Sequence, residues 1–445
     1  MAFNLGLTTA LINTMAIAAC ILVFIRPRLG LSLMILLVPW EEYLASTPIP
    51  GVNVASALYL IPLFRALSVR RPLGVKPSLS VPLVLIVLNL LLSWVVTVVS
   101  GPVGYATWDV FFMIKRLVQA FSIYFTFLYL TEDEDDIKTF LLALLFGAGW
   151  QGFWILRGYL LGKRGRFAAP VGVNEGGAFF GAYWLFALPF LTSHITGDIG
   201  VQFLKKRSAE LASAVFLTFC FLFGLAYCQS RGGYVAWLAA CVAVAGLKYK
   251  KLLVVAVILA PLLLGQWTRF LPQVVVDRIK FTTEGAREGE RFEGSAESRL
   301  VLWGAGLRMY GDNPIVGKGF GTFAHYSTQY ADIRRPRVSH NHWVQVIAEL
   351  GTIGALVFIW FTVAAFRSGF RLLRETEPAS FFRDLSVVFV ACWVSLVVSN
   401  VFGNRFFNGS VTGYFLVTAA LVDRARDIVL RRQSQPDTPE EHESP

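Results

Sequence analysis

The chain has 445 residues, of which 55% are hydrophobic and 16% are charged, and its mean hydropathy is +0.58. A soluble domain carries about 25% charged residues, so a water-facing globule around one buried core is excluded. The formal charge is +11, but the basic residues lie in short loops between apolar runs, where they set topology and meet anionic headgroups. No basic stripe is interleaved with aromatics, so no nucleic-acid partner is expected.

Apolar runs recur near 8–25, 81–100, 110–130, 137–161, 176–193, 209–228, 232–247, 251–266, 343–366, 384–402 and 409–423, with shorter ones at 29–40 and 54–65. A crossing takes about 20 residues, which gives an all-α, polytopic transmembrane helix bundle of about 12 spans. The N-terminus has no basic n-region or small-residue cleavage site, so 8–25 reads as a retained span. Cys20, Cys220, Cys228, Cys241 and Cys392 all fall in or beside apolar segments, which suggests neither a disulfide framework nor a metal site.

The basic loops around Arg65–Lys76, Lys205–Arg207, Lys248–Lys251 and Arg367–Arg383, with the Arg424–Arg432 tail, fall on one side when spans are counted. The positive-inside rule makes that side cytoplasmic, with the acidic loop Thr131–Asp136 a mild exception. The expected organisation is a first bundle part over 1–266, an outer loop over 267–342, C-terminal spans over 343–423 and a cytoplasmic tail over 424–445. The Pro-, Glu- and Ser-rich end of that tail reads as disordered.

The 267–342 loop holds 11 Lys/Arg and eight Asp/Glu, too many for hydrocarbon, and loops this long are usually functional or disordered. It contains a helix signal. Ser295 or Ser298 can cap, Leu300, Trp303, Leu307 and Tyr310 recur at helical spacing, and Asp312-Asn313-Pro314 stops the run. An amphipathic helix over the bundle is expected. Gly317-Lys318-Gly319-Phe320-Gly321 lacks the Gly-Lys-Ser/Thr of a phosphate loop and reads as a turn packing the loop down.

The outer side collects arginines: Arg164, Arg166, Arg231, Arg299, Arg334, Arg335 and Arg337. A guanidinium fork binds phosphate oxygens at two points, so convergent arginines suit a diphosphate. Glycines after Arg231 allow close approach of a ligand or backbone. Arg308 lies nine residues after Arg299, on the opposite helix face. Lys115 and Arg116 sit roughly 8 Å inside a span, where charge defaults to a functional reading, with snorkelling the alternative. His340 precedes an apolar run, with Asn341 placed as N-cap. The positive end of that helix favours a neutral imidazole able to accept a proton. His342 and His325 are weaker candidates, and Glu349 is placed to orient His342 or partner an arginine. Trp303, Phe320 and Tyr326 could stack on sugars, although packing is the commoner role. No metal-ligand pattern is present.

Taken in order, Ser230-Arg231-Gly232, Ser298-Arg299-Leu300, Asp312-Asn313-Pro314, Gly319-Phe320-Gly321, His340-Asn341-His342-Trp343 and Glu349-Leu350-Gly351 resemble the bacterial O-antigen ligase and polymerase superfamily over about 160–360. That resemblance implies a GT-C-like membrane glycosyltransferase on the periplasmic face of the bacterial inner membrane. Its donor would be an undecaprenyl-diphosphate-linked glycan, and its acceptor lipid A–core or another glycan. No cofactor is implied. By the resemblance, Arg166, Arg231 and Arg299 would hold the diphosphate and His340 would act on the acceptor hydroxyl; from their own placement, Arg116, Arg337, His342 and Glu349 are secondary candidates. A ligase is preferred, a polymerase shares the motifs, and transfer to protein hydroxyls is a related option. A polysaccharide or lipid transporter is the alternative of another class, although no internal repeat is visible.

Overall fold

The computed structural model describes residues 2–44, 53–102, 107–163, 167–183, 207–251, 253–255, 258, 267–284 and 294–434. Its helices are α1 (Ala2–Ile25), α2 (Pro27–Leu37), α3 (Val54–Val69), α4 (Ser80–Ser100), α5 (Thr107–Leu130), α6 (Glu134–Leu160), α7 (Val173–Tyr183), α8 (Arg207–Cys228), α9 (Arg231–Lys248), α10 (Gln273–Glu284), α11 (Gly294–Asp312), α12 (Phe323–Tyr330), α13 (His342–Glu375), α14 (Phe381–Ser399) and α15 (Gly409–Ser434). Among the described residues no strand forms beyond one isolated bridge between Ala169 and Gly172.

Six of these helices are long and apolar enough to cross a bilayer: Ser80–Ser100, Thr107–Leu130, Glu134–Leu160, Leu211–Cys228, His342–Glu375 and Phe381–Ser399. Thr9–Ile25, Pro27–Trp40 and Val54–Val69 are shorter apolar helices. The chain is an all-α, multi-pass membrane protein. α4 keeps Val81, Val84, Leu88, Val95 and Val98 exposed, an apolar stripe that water would not tolerate and lipid does. α14 and α15 are buried on nearly all faces, as expected of helices at the centre of a bundle.

Lys205 and Lys206 lie outside the described residues; the other basic loops converge at one end of this bundle. Arg71 pairs with Glu132, Arg28 with Asp133 and Asp136, Lys248 with Asp384, Arg426 with Glu375, and Arg432 with Glu134. The acidic loop after α5 therefore supplies counter-charge to the basic loops. α15 continues beyond 423 as ordered helix to Ser434, because Arg424 and Asp427 are buried against each other at 2.6 Å. Tyr124, Ser78 and Ser368 donate to the buried Asp423 carboxylate, tying four segments of the bundle together.

The other end is capped by the long loop. α11, α12 and the start of α13 enclose a small core of Leu302, Met309, Phe323 and Ala348, with Tyr326, Tyr330, Ile333 and Val344 around it. Gly306 lets α11 approach α13 closely, since a Cβ there would overlap the Val344 side chain. The packed face of α11 is therefore Leu302, Ala305 and Met309, whereas Leu300 and Leu307 are each 56% exposed. Of the large residues at helical spacing, Leu300 and Leu307 face outward while Trp303 bonds Ser339, and the close approach to α13 is made by the small residues Ala305 and Gly306.

α13 is two helices joined at Gly351, whose φ of 64° and ψ of −162° lie in a region essentially restricted to glycine. Such a break frees carbonyls on one side and N–H groups on the other, and the loop satisfies both sets. Lys318 N donates to Ala348 O (2.9 Å) and Gly319 N to Glu349 O (3.0 Å), while Thr352 N and Ile353 N donate to Pro314 O (2.8 Å) and Ile315 O (3.3 Å). Irregular backbone at membrane level is tolerated where protein satisfies it in this way. The Gly317–Gly321 turn thus packs into the break, at positive φ for Gly317, Gly319 and Gly321.

Candidate functional site

Asn341 caps α13, its side chain accepting from Trp343 N (3.0 Å) and Val344 N (3.2 Å). Two orphan donors of the first turn are thereby satisfied. His340 immediately precedes the cap. It is exposed and held at φ 51°, an uncommon conformation for a residue with a Cβ. Its neighbour Ser339 is buried and bonds the backbone of Asn341 in both directions, at 2.8 and 3.2 Å. Trp303 Nε1 donates to Ser339 O (3.1 Å), so α11 is fastened directly to the His340 turn.

Beneath His340, Ser339 Oγ lies 3.4 Å from Gln345 Oε1, and Gln345 Nε2 donates to Glu349 Oε2 (3.2 Å). The other Glu349 oxygen accepts from Phe323 N at 2.8 Å. Glu349 is 1% exposed, so these bonds compensate a costly burial. Its carboxylate joins the His340 turn to the loop lodged in the helix break. It does not orient His342, whose ring nitrogens have no hydrogen-bond partner among the described residues. His342 is fully buried among Phe407, Phe358, Phe406 and Trp343, with ring centroids 4.6–5.6 Å away.

Arg299 lies one helical turn before Trp303, on the face of α11 that carries the bond to Ser339. Arg308 projects elsewhere and donates to Tyr330 O at 3.0 Å, which gives it a role in holding the loop. Arg231 opens α9 immediately after its cap Ser230, whose side chain accepts from Gly233 N. Gly232 is pressed against Phe402, where a Cβ would stand 2.6 Å from the Phe402 Cβ. Phe402 belongs to the turn after α14, and Asn400 of the same turn accepts from His342 N at 2.8 Å. This turn therefore connects the start of α9 with the start of α13, and brings Arg231 and His340 to the same end.

Arg337 is exposed, and its backbone N is anchored to Ser327 Oγ at 3.1 Å. Arg116 is exposed and nine residues into α5, roughly 13 Å along the helix from Thr107. That is deeper than the sequence indicated, because the helix begins earlier. No hydrogen bond or ion pair among the described residues joins Arg116 to the His340 cluster. Arg164 and Arg166 lie outside the described residues. Phe320 is buried against Phe407 with centroids 5.1 Å apart, so packing occupies it. Among the described residues no three His, Cys, Asp or Glu side chains converge as metal ligands.

The outer part of the cap has its own polar cluster. Tyr330 donates to Asp312, and Lys318 Nζ lies 3.3 Å from Asp312. Lys318 also sits over the Tyr326 and Tyr330 rings, at 5.8 and 5.6 Å. The Tyr330 hydroxyl, then the Lys318 ammonium, holds the Asp312 carboxyl below its ordinary range. Burial alone would lower the Lys318 value, but hydrogen bonding to Tyr330 and Asp312 raises it on balance.

Sequence reading missed Gln345, Asn400 and Asn404. Asn404 donates to Gln345 Oε1, Asn400 Oδ1 accepts from Arg405 N (2.9 Å) and Phe406 N (3.1 Å), and Arg405 is buried. A signal was available, since Gln345 and Glu349 are four residues apart and share a helix face. The polar run Asn404-Arg405 sits between apolar segments at the same end.

No curated protein matches the chain. A family model described as O-Antigen ligase matches residues 216–359, the stretch that holds Arg231, Arg299, Arg337, His340, His342, Glu349 and the break at Gly351. Over these residues, about a third of the chain, the sequence is similar to that family.

Proposed function

We propose that the chain is a membrane glycosyltransferase of the ligase type, moving a glycan from undecaprenyl diphosphate to an acceptor hydroxyl at the capped end, which would face the periplasm. The observation that carries this reading is His340. It is exposed at the mouth of the cap and fixed from below by Ser339, Gln345 and Glu349, within the segment matched to the ligase family. His340 would take the proton of the acceptor hydroxyl as its oxygen bonds to the anomeric carbon. The bond from that carbon to the diphosphate would break on the opposite face, inverting the centre. Arg231 and Arg299, with Arg166, would hold the diphosphate and stabilise the charge it gains. His342 is too enclosed to meet an acceptor, and its role in this reading is packing.

The test is transfer by purified protein from a polyprenyl-diphosphate glycan, offered lipid A–core and a non-reducing glycan end in parallel. Product on lipid A–core is expected. Product only on the glycan would make the chain a polymerase, and none with either acceptor would sink the reading. Because arginines carry the leaving-group charge, transfer is expected to persist in EDTA. Loss restored by magnesium or manganese would overturn that part.

A further inference from the structure

We propose that the basic end of α13 holds an acidic phospholipid, with Arg367, Arg371 and Arg374 on its phosphates and its acyl chain along Val363, Phe366 and Phe370. These six residues line one groove of about 440 Å³. The arginines are spaced i, i+4 and i+7, so they stand on one helix face. The same face continues as exposed Leu356, Ile359, Trp360 and Val363, an apolar stripe suited to hydrocarbon. The arginines thus stand at headgroup height, where that stripe ends.

Three carboxylates of this end are engaged elsewhere, and Glu377 is exposed to solvent. Glu375, adjacent to Arg374, receives two hydrogen bonds from Arg426 at 2.7 Å each. Asp384 pairs with Lys248, and Asp427 with Arg424 and Arg431. Arg383 donates to the carbonyls of Leu373 and Thr376. Arg367, Arg371 and Arg374 form no ion pair with any described residue. Guanidinium forks match phosphate oxygens, and an apolar groove at this height selects a lipid over a free phosphate. From Arg367 to Arg374 is about 10 Å along the axis, more than a single phosphate spans, so a lipid with two phosphates fits best. The site is remote from the capped end and does not depend on the transferase reading.

The experiment measures lipids retained in native mass spectrometry after reconstitution in phosphatidylcholine discs containing phosphatidylglycerol and diphosphatidylglycerol. Diphosphatidylglycerol is expected to dominate. Arg367→Gln/Arg371→Gln/Arg374→Gln should lower its retention about a hundredfold. Arg367→Lys/Arg371→Lys/Arg374→Lys keeps the charges that set orientation but loses the forks, and should lower retention about tenfold. Arg70→Gln/Lys76→Gln, at exposed basic positions of the same end, should leave it unchanged. An equal loss in the Arg70/Lys76 variant, no loss in the lysine variant, or equal retention of phosphatidylcholine would overturn the proposal.

Discussion

At the basic end, Arg424 is 4% exposed and faces the fully buried Asp427, which also takes Arg431. At the capped end, Arg334, Arg335 and Arg337 are exposed, and Lys318 pairs with Asp312. A buried charge needs a partner, and removing that partner leaves the other uncompensated. An exposed guanidinium carries no such obligation and stays available to a ligand. The comparison teaches that buried, paired charge such as Arg424–Asp427 holds the bundle together, whereas an exposed guanidinium such as Arg337 is not needed for packing. Substitutions should therefore divide into those that cost stability and those that cost turnover.

The sharpest break of the comparison is at the basic end. Asp427→Ala should destabilise the protein by about 3–5 kcal/mol, because Arg424 is left buried without its carboxylate. Protein that still folds should retain turnover per molecule, as read by thermal unfolding beside a transfer assay. Undiminished stability would show that the pairing at this end is not structural.

Next is the helix break. Gly351→Ala places a Cβ against the Ile315 carbonyl and holds a backbone conformation that L-residues rarely adopt. A cost of at least about 1–3 kcal/mol is expected from the conformation alone. The cap should loosen first, seen as faster proteolysis within 294–342 before the bundle melts. Glu349→Ala leaves Phe323 N without its acceptor and should cost about 1–3 kcal/mol, with the same order of events. Intact protection of the loop in either variant would contradict the docking described.

Arg308→Ala is the mild case. Loss of its bond to the Tyr330 carbonyl should cost about 1 kcal/mol and leave turnover close to that of the parent, whereas Arg299→Lys should keep stability and lose turnover. The smallest effect concerns pH. Asp312, facing Lys318 and Tyr330, has its carboxyl held below the ordinary range. The stability it lends is present above the unfolded value and is lost as pH falls through the folded one. Hydrogen exchange across 312–330 should rise only below the ordinary carboxylate range, and Asp312→Asn should flatten that dependence.

Much of the bundle was legible because apolar periodicity and loop charge are local signals. Counting spans placed the basic loops together, and ion pairs such as Arg71–Glu132 and Lys248–Asp384 join them. Asn341 was legible as a cap because its place before an apolar run is enough. The break at Gly351 was not, since one glycine leaves the hydropathy of 343–366 uninterrupted and costs a helix only about 1 kcal/mol. Only its long-range partners, Pro314 to Gly319, show that the helix stops there. The Ser339–Gln345–Glu349 chain was hidden for the same reason. Gln345 and Glu349 share a helix face, but that they face the loop and Asn404 is tertiary information. Which face of α11 packs was not legible, because Ala305 and Gly306, which carry little hydropathy, permit the close approach.

The most direct test compares His340→Ala with the parent chain, measuring donor binding and glycan transfer on the same folded, membrane-reconstituted samples. Donor binding is expected to persist, and transfer to fall by about 10²–10⁴-fold. Full transfer by His340→Ala would contradict the assignment of chemistry to the capped end.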